Sequence, residues 1–179
     1  MSNTRVVLVT GGMGGLGETI STKMADAGYK VAVTYSPGNN KHAEWVAGMK
    51  ERGYDIAAVP CDVADLDSCT KAVAEVTAKV GPVDVLVNNA GITRDTLSMR
   101  MKDEDWDAVL DTNLKGAFNM VKAVQRSILK QKGARIINIS SVIGLIGNAA
   151  SHLIQAATIL TFLISSFQHK NFILLSKTN

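Results

Sequence analysis

Hydrophobic positions along this chain follow two alternating periods. Short runs rich in β-branched residues, at 5 to 10, 30 to 35, 56 to 60, 83 to 88 and 134 to 140, read as strands covered on both faces. Between them lie longer segments whose apolar residues recur at three and four, the mark of helices with one buried side. The segment 15 to 27 ends at Gly28 and the segment 40 to 52 at Gly53, while 65 to 80 opens on Asp65, a good N-cap, and ends at Gly81. A longer helix starts near Asp103 and runs through Trp106, Val109, Leu110, Asn113, Leu114, Phe118 and Val121 to about Lys132. Such βα units in right-handed succession predict an α/β fold with a doubly wound parallel sheet.

Composition narrows this without changing it. A chain of 179 residues with 46% hydrophobic and 20% charged residues is expected to make one soluble domain with a real core, and no linker, repeat or low-complexity stretch divides it. The net charge of +3 is small and its Lys and Arg are dispersed, so no nucleic-acid partner is expected, although a small anionic ligand stays open. Cys61 and Cys69 form no CxxC and have no neighbouring His to complete a zinc set, so they read as reduced structural thiols and no metal site is expected. Met1 to Arg5 leads straight into the strand at Val6, without the regions of a secretory leader, and a cytoplasmic location is expected.

Candidate chemistry begins after the first strand. Thr10-Gly11-Gly12-Met13-Gly14-Gly15-Leu16-Gly17 stands between a strand and a helix, where glycines let the backbone turn tightly and let a pyrophosphate approach the helix's N-terminal amides. The second strand addresses which dinucleotide. An acidic residue about 20 positions beyond the loop would hold the ribose hydroxyls of NAD. The stretch from Tyr35 and Ser36 through Asn40 and Lys41 to His42 contains none, and Ser36, Asn40 and Lys41 are able to donate to a 2'-phosphate, which favours NADP(H). The plainer reading, Lys41 as a solvated residue of a first helical turn, stays beside it.

Two further segments close later strands: Asn88-Asn89-Ala90-Gly91 after the fourth and Asn138-Ile139-Ser140-Ser141 after the fifth, with Asn113 in the helix between. With the TGxxxGxG spacing of Thr10, Gly11, Gly15 and Gly17, this set resembles the short-chain dehydrogenase/reductase family and its Rossmann fold. Within that family the segments VTGGMGGLG at 9 to 17, NNAGITRD at 88 to 95 and DWDAVLDTNL at 105 to 114 are similar to bacterial acetoacetyl-CoA reductases and 3-oxoacyl-carrier-protein reductases. The resemblance spans about residues 4 to 148. It implies NADPH-dependent reduction of a β-ketoacyl thioester, a small-molecule substrate, to the 3-hydroxyacyl product, and a homo-oligomer, a dimer or tetramer. By position it implies that Gly11, Gly15, Leu16 and Gly17 cradle the pyrophosphate; Gly12 and Met13 of the same loop, and Tyr35, Ser36, Asn40 and Lys41 after the second strand, are further candidate cofactor-binding residues. It further implies that Asp62 and Val63 flank the adenine, and that Asn89, Ala90, Gly91 and Ile139 line the nicotinamide side. Asn113 would kink its helix and hold a water of a proton relay, and Ser141 would hydrogen-bond the substrate carbonyl.

The resemblance breaks at one helix. Hydride delivery to a ketone leaves negative charge on oxygen and needs a proton donor of suitable pKa, for which the family uses a tyrosine with a lysine four residues later. Those positions fall at 154 and 158, where this chain has Ile154 and Thr158. No tyrosine follows Tyr54, the only lysines after Ser141 are Lys170 and Lys177, and His152 is better read as a cap or surface residue than as a substitute acid. The expected organisation is a nucleotide-binding domain over 1–148 and a divergent tail over 149–179 that takes the place of the active-site helix, includes a possible sixth strand at Phe172-Ile173-Leu174-Leu175, and leaves the fold C-terminally incomplete relative to the family. Three readings follow: a reductase by descent whose tail is truncated, frameshifted or wrongly assigned; a catalytically silent NADP-binding module; and a membrane-tethered form. The last is disfavoured because the uncharged run 153 to 167 is shorter than the roughly 20 residues that span a bilayer.

Overall fold

The computed structural model describes residues 4–94, 96–141 and 172–177. Six strands form one parallel sheet: β1 (Val6–Val9), β2 (Lys30–Tyr35), β3 (Ile56–Pro60), β4 (Val83–Asn88), β5 (Arg135–Ser141) and β6 (Phe172–Lys177), in the spatial order β3-β2-β1-β4-β5-β6. The helices are α1 (Gly15–Asp26), α2 (His42–Glu51), α3 (Leu66–Lys79), α4 (Asp103–Leu110) and α5 (Gly116–Ile128). The order reverses direction between β1 and β4, which are direct neighbours although three helices separate them in sequence. In an open parallel sheet such a switch point leaves a crevice beyond the strand C-termini.

Alternation along the strands divides the core into two layers. Val6 and Leu8 of β1 pack with Leu86 against Cys69, Ala72, Val76, Met120 and Val124 of α3 and α5. Val7 and Val9 face the other way, packing with Val31, Val33, Val85 and Val87 against the side of α1 and α2 that carries Ile20, Met24 and Met49. Both faces of β1 are therefore buried, which explains why Val6 to Val9 reads as an unbroken apolar run. Asp65 caps α3 as expected, accepting from the Asp67 and Ser68 amides.

One predicted element takes a different form. The helix expected to run from Asp103 to about Lys132, with a kink at Asn113 implied by the resemblance, contains a π-helical turn at Asp111–Lys115 and ends its regular course at Ile128. Within it the Gly116 amide donates to the carbonyl of Asp111, five residues back. The apolar periodicity passes through this region without a break, so the widened turn left no hydrophobic signal. It is explained instead by the polar contacts of Asn113 described below.

β6 includes the segment 172 to 175 singled out in the sequence and pairs with β5 in register from Ile136↔Phe172 to Ser141↔Lys177. Ile154, Thr158, His152 and the apolar run 153 to 167 lie outside the described residues. Among the described residues no helix is long and apolar enough to cross a membrane. None of them form a group of three or more His, Cys, Asp or Glu able to hold a metal ion.

Candidate nucleotide site

The crevice at the switch point is built by three strand ends that hydrogen-bond one another. Thr10, buried at the end of β1, accepts at Oγ1 from the amides of Asn89 (3.0 Å) and Ala90 (2.9 Å), which continue from β4. The side chain of Asn89 returns the contact, its Nδ2 donating to the carbonyls of Thr10 (3.0 Å) and Gly11 (3.2 Å). From the other side, Thr34 of β2 accepts at Oγ1 from the Gly11 amide at 3.2 Å and at its carbonyl from the Gly12 amide at 3.1 Å. The first half of the glycine loop is thus fixed between β2 and β4 by the side chains of Thr10, Thr34 and Asn89 together with main-chain bonding.

Absence of side chains is what lets these pieces meet. A Cβ on Gly17 would collide with the carbonyl of Gly11, stand 2.8 Å from Asn89 Nδ2 and lie 2.9 Å from Gly12 Cα. Gly11 has φ +60, and a Cβ there would lie 3.1 Å from Ala90 Cα. By contrast nothing lies within 4 Å of a Cβ on Gly14, the residue at the N-cap of α1, where no side chain satisfies the helix's first amides. A helix start with unspent donors and a positive dipole end attracts an anion. Asn89 adds an acceptor, because its Oδ1 is buried and has no hydrogen-bond partner. Open loop, uncapped helix and spare buried carbonyl together fit a dinucleotide.

The side expected from the sequence to take adenosine opens from β2. Ser36, Asn40 and Lys41 are exposed, and the loop is a compact turn in which the Asn39 amide donates to Ser36 O at 2.8 Å and Asn39 Oδ1 accepts from the Lys41 amide at 2.9 Å. Lys41 is the N-cap of α2 and makes no side-chain capping bond. His42 stacks on Tyr35 with ring centroids 4.5 Å apart and planes 5° from parallel. The periodicity of α2 gave no sign of this stack. Past β3, Asp62 is exposed, whereas the Val63 side chain is buried against Gly116.

Beyond β4, Asn113 reaches Ile92 with both ends of its amide, and a Cβ on Gly91 would lie 3.2 Å from Asn113 Oδ1. Asn88 and Asn138, register partners on β4 and β5, are joined by a bond from Asn88 Nδ2 to Asn138 Oδ1 at 2.9 Å. Ile139 and Ser141 follow on the same strand, with Ser141 at its last position. The sequence-predicted residues therefore gather along the C-terminal edge of the sheet from β3 to β5. Cys61 and Cys69 are free and buried with sulfurs 3.9 Å apart, and the hydrogen bond to Cys61, then burial, pushes the Cys69 thiol well above the ordinary range. That suits an unreactive packing role for Cys69, while the same contact lowers the pKa of the Cys61 thiol.

Residues 5–157 match the family model for short chain dehydrogenase. The chain belongs to the short-chain dehydrogenase family. Among curated relatives it is 46% identical over 148 residues to a 3-oxoacyl-[acyl-carrier-protein] reductase of Staphylococcus aureus, covering 83% of this chain and 60% of that protein. It is 44% identical over 140 residues to the acetoacetyl-CoA reductase of Cupriavidus necator, covering 78% of this chain and 57% of the relative. A Synechocystis 3-oxoacyl-[acyl-carrier-protein] reductase is 44% identical over 153 residues, covering 86% of this chain and 62% of the relative. The chain thus spans about 60% of the length of the first of these relatives.

Two residues that sequence reasoning did not assign as site residues are central to the crevice. Thr10 was read only as part of the loop's spacing, and Thr34 not at all, because neither residue type in a strand points to a tertiary hydrogen bond. Strand pairing was the available signal: β2 and β4 both neighbour β1, so polar residues at their C-terminal ends must meet the loop.

Proposed function

We propose that this chain binds NADP(H), and that its function by descent is reduction of a β-ketoacyl thioester of acetoacetyl-CoA type to the 3-hydroxyacyl thioester. The observation that carries the reading is the buried Asn89 Oδ1 without a partner, beside glycines whose Cβ atoms would close the crevice and an uncapped α1. When bound, the dinucleotide supplies a hydride. Gly11, Gly12, Met13, Gly15, Leu16 and Gly17 then surround the pyrophosphate, with the α1 amides taking its charge. Tyr35, Ser36, Asn40 and Lys41 take the adenosine ribose end, where the lack of an acid between 35 and 42 leaves a 2'-phosphate unopposed. Asp62 and Val63 flank the adenine, Val63 through its main chain because its side chain is buried. Asn89, Ala90, Gly91 and Ile139 line the nicotinamide side.

Ser141 donates to the substrate carbonyl and steadies the charge that develops on its oxygen. Asn113 contributes through its main chain, since both ends of its side chain are spent on Ile92. A π turn leaves helix carbonyls without their usual intrahelical donors, so the main chain there suits a relay water. Residues 1–148 supply the nucleotide domain and 149–179 the divergent tail. The exposed apolar side chains Trp106, Phe118 and Leu129 along α4 and α5 support a homo-oligomer.

A second reading, a catalytically silent NADP-binding module, is favoured by Ile154 and Thr158, which supply neither a phenol nor a charged amine. Titration with NADPH and NADH, together with an acetoacetyl-CoA reduction assay of the native chain and an Ile154→Tyr/Thr158→Lys variant, separates the two. Reduction by descent predicts NADPH preferred over NADH, weak native turnover, and a gain of turnover in the double variant. Binding with no turnover in either form supports the silent module, and failure to bind NADPH overturns both.

A further inference from the structure

A buried side chain of α5 helps to hold the loop that follows β3. Asn119, in the first turn of α5, donates from Nδ2 to the carbonyl of Val63 at 2.9 Å and to that of Ala64 at 3.1 Å. It is 4% exposed, so without these acceptors its amide would be costly to bury. Three residues earlier Gly116 receives the Val63 side chain, and a Cβ there would lie 2.7 Å from Val63 Cγ2 and 3.1 Å from Val63 Cβ. Cys69 of α3 also reaches this loop, its sulfur 3.5 Å from Val63 O and 3.7 Å from Asp62 O.

Asn113, Gly116 and Asn119 are spaced by three through the junction of the π turn with α5. The first grips Ile92 beyond β4, and the other two grip Val63 and Ala64 beyond β3. One continuous stretch of helix therefore sets the separation between two loops that lie on opposite sides of the switch point. A hydrophobic residue would suit the apolar surroundings of position 119, where Met120 and Val124 belong to the core, but would leave two carbonyls of the loop without this donor.

We propose that Asn119 is a positioning residue for the adenosine half of the dinucleotide: with Gly116 it fixes the Asp62–Ala64 main chain against α5 at the height the adenine ring requires. The proposal rests on the NADP(H) reading above. Asn119 itself touches no ligand, and its effect is confined to what the β3 loop contacts. Loss of the clamp must therefore weaken ligands that carry adenosine and spare those that carry only the nicotinamide end.

The test titrates the full chain with NADPH, 2',5'-ADP and reduced nicotinamide mononucleotide. Asn119→Leu, close in volume but without a donor, is expected to weaken NADPH and 2',5'-ADP about tenfold or more and to leave the mononucleotide within about twofold. Gly116→Ala, which displaces Val63 without touching Asn119, is expected to give the same split and serves if Asn119→Leu does not fold. Ser127→Ala is the control on the same helix: it removes the bond from Ser127 Oγ to Val83 O (3.0 Å) far from the β3 loop and should leave all three ligands unchanged. Folded variants that bind 2',5'-ADP as the native chain does, or that lose all three ligands equally, overturn the positioning role alone. A native chain that binds none of the three overturns the nucleotide reading and the positioning role with it.

Discussion

Asn113 and Ile92 are joined by two hydrogen bonds between one side chain and one residue's backbone: Asn113 Oδ1 accepts from the Ile92 amide at 2.8 Å, and Asn113 Nδ2 donates to the Ile92 carbonyl at 2.9 Å. The amide copies a strand partner for a stretch of chain that has left β4. It does so from the middle of the π turn, which ties the bend of the helix to the path of the loop. Asn113→Ala removes both bonds and should cost about 1–3 kcal/mol in urea denaturation. Asn113→Asp keeps the acceptor for the Ile92 amide but sets a carboxylate oxygen against the Ile92 carbonyl, so it should lose no less stability overall. Faster amide exchange at Ile92 in both variants, greater in the alanine, would localise the effect, and unchanged exchange would sever helix from loop.

Thr10 offers a sharper test because Thr→Val preserves shape. The hydroxyl accepts from two amides and stands 3.4 Å from Val87 O. Valine would leave the Asn89 and Ala90 amides without that acceptor, at about 1–3 kcal/mol for each donor left unpaired. Thr10→Ser retains the oxygen and should stay close to the native stability. Equal loss in the two variants would mean that the methyl group, not the hydroxyl, matters here.

Within the glycine loop, the same change should be costly at one position and neutral at another. Gly17→Ala drives a Cβ into Gly11 O and towards Asn89 Nδ2, so a loss of about 1–3 kcal/mol from overpacking is expected, with loss of NADPH binding. Gly14→Ala meets nothing within 4 Å and has an extended backbone with φ −128, so its thermal stability should match the native chain. Calorimetry of the two variants decides this, and similar melting temperatures would contradict the packing at Gly17.

What the sequence made legible follows from which interactions are local. The strands 30–35, 56–60 and 83–88 have the predicted bounds because apolar runs and the residues that interrupt them lie side by side in the chain. The place of the glycine loop was legible for the same reason, its glycines being closely spaced between a strand and a helix. Asn113 was placed correctly in its helix, but the π turn and the commitment of its whole side chain to Ile92 depend on a residue 21 positions away. Asn119 was invisible: an asparagine on a helix reads as solvated, and its acceptors at Val63 and Ala64 lie 56 and 55 positions earlier.

Glu18 gives the fold a sign-definite response to acid. Its Oε1 accepts from Arg52 Nη1 at 2.7 Å and its Oε2 from Trp45 Nε1 at 2.7 Å, linking α1 to α2 and its C-terminal cap. The hydrogen bond from Arg52, then that from Trp45, holds the Glu18 carboxyl below the ordinary glutamate range, against a smaller opposing effect of burial. The folded chain thus binds this proton less tightly than the unfolded chain does. The resulting stability is fully present above the unfolded glutamate pKa of about 4.3 and is lost as pH falls through the depressed folded value. Its size is limited, because the Arg52 side chain is 53% exposed and solvent screens the pair, so Glu18→Gln should cost no more than about 1 kcal/mol at neutral pH. The gap between native chain and variant should narrow as pH drops below about 4 and vanish once Glu18 is protonated in both states. Urea midpoints measured for both proteins across that range check the sign, and a gap that widened in acid would place the stabilising proton on the folded rather than the unfolded chain.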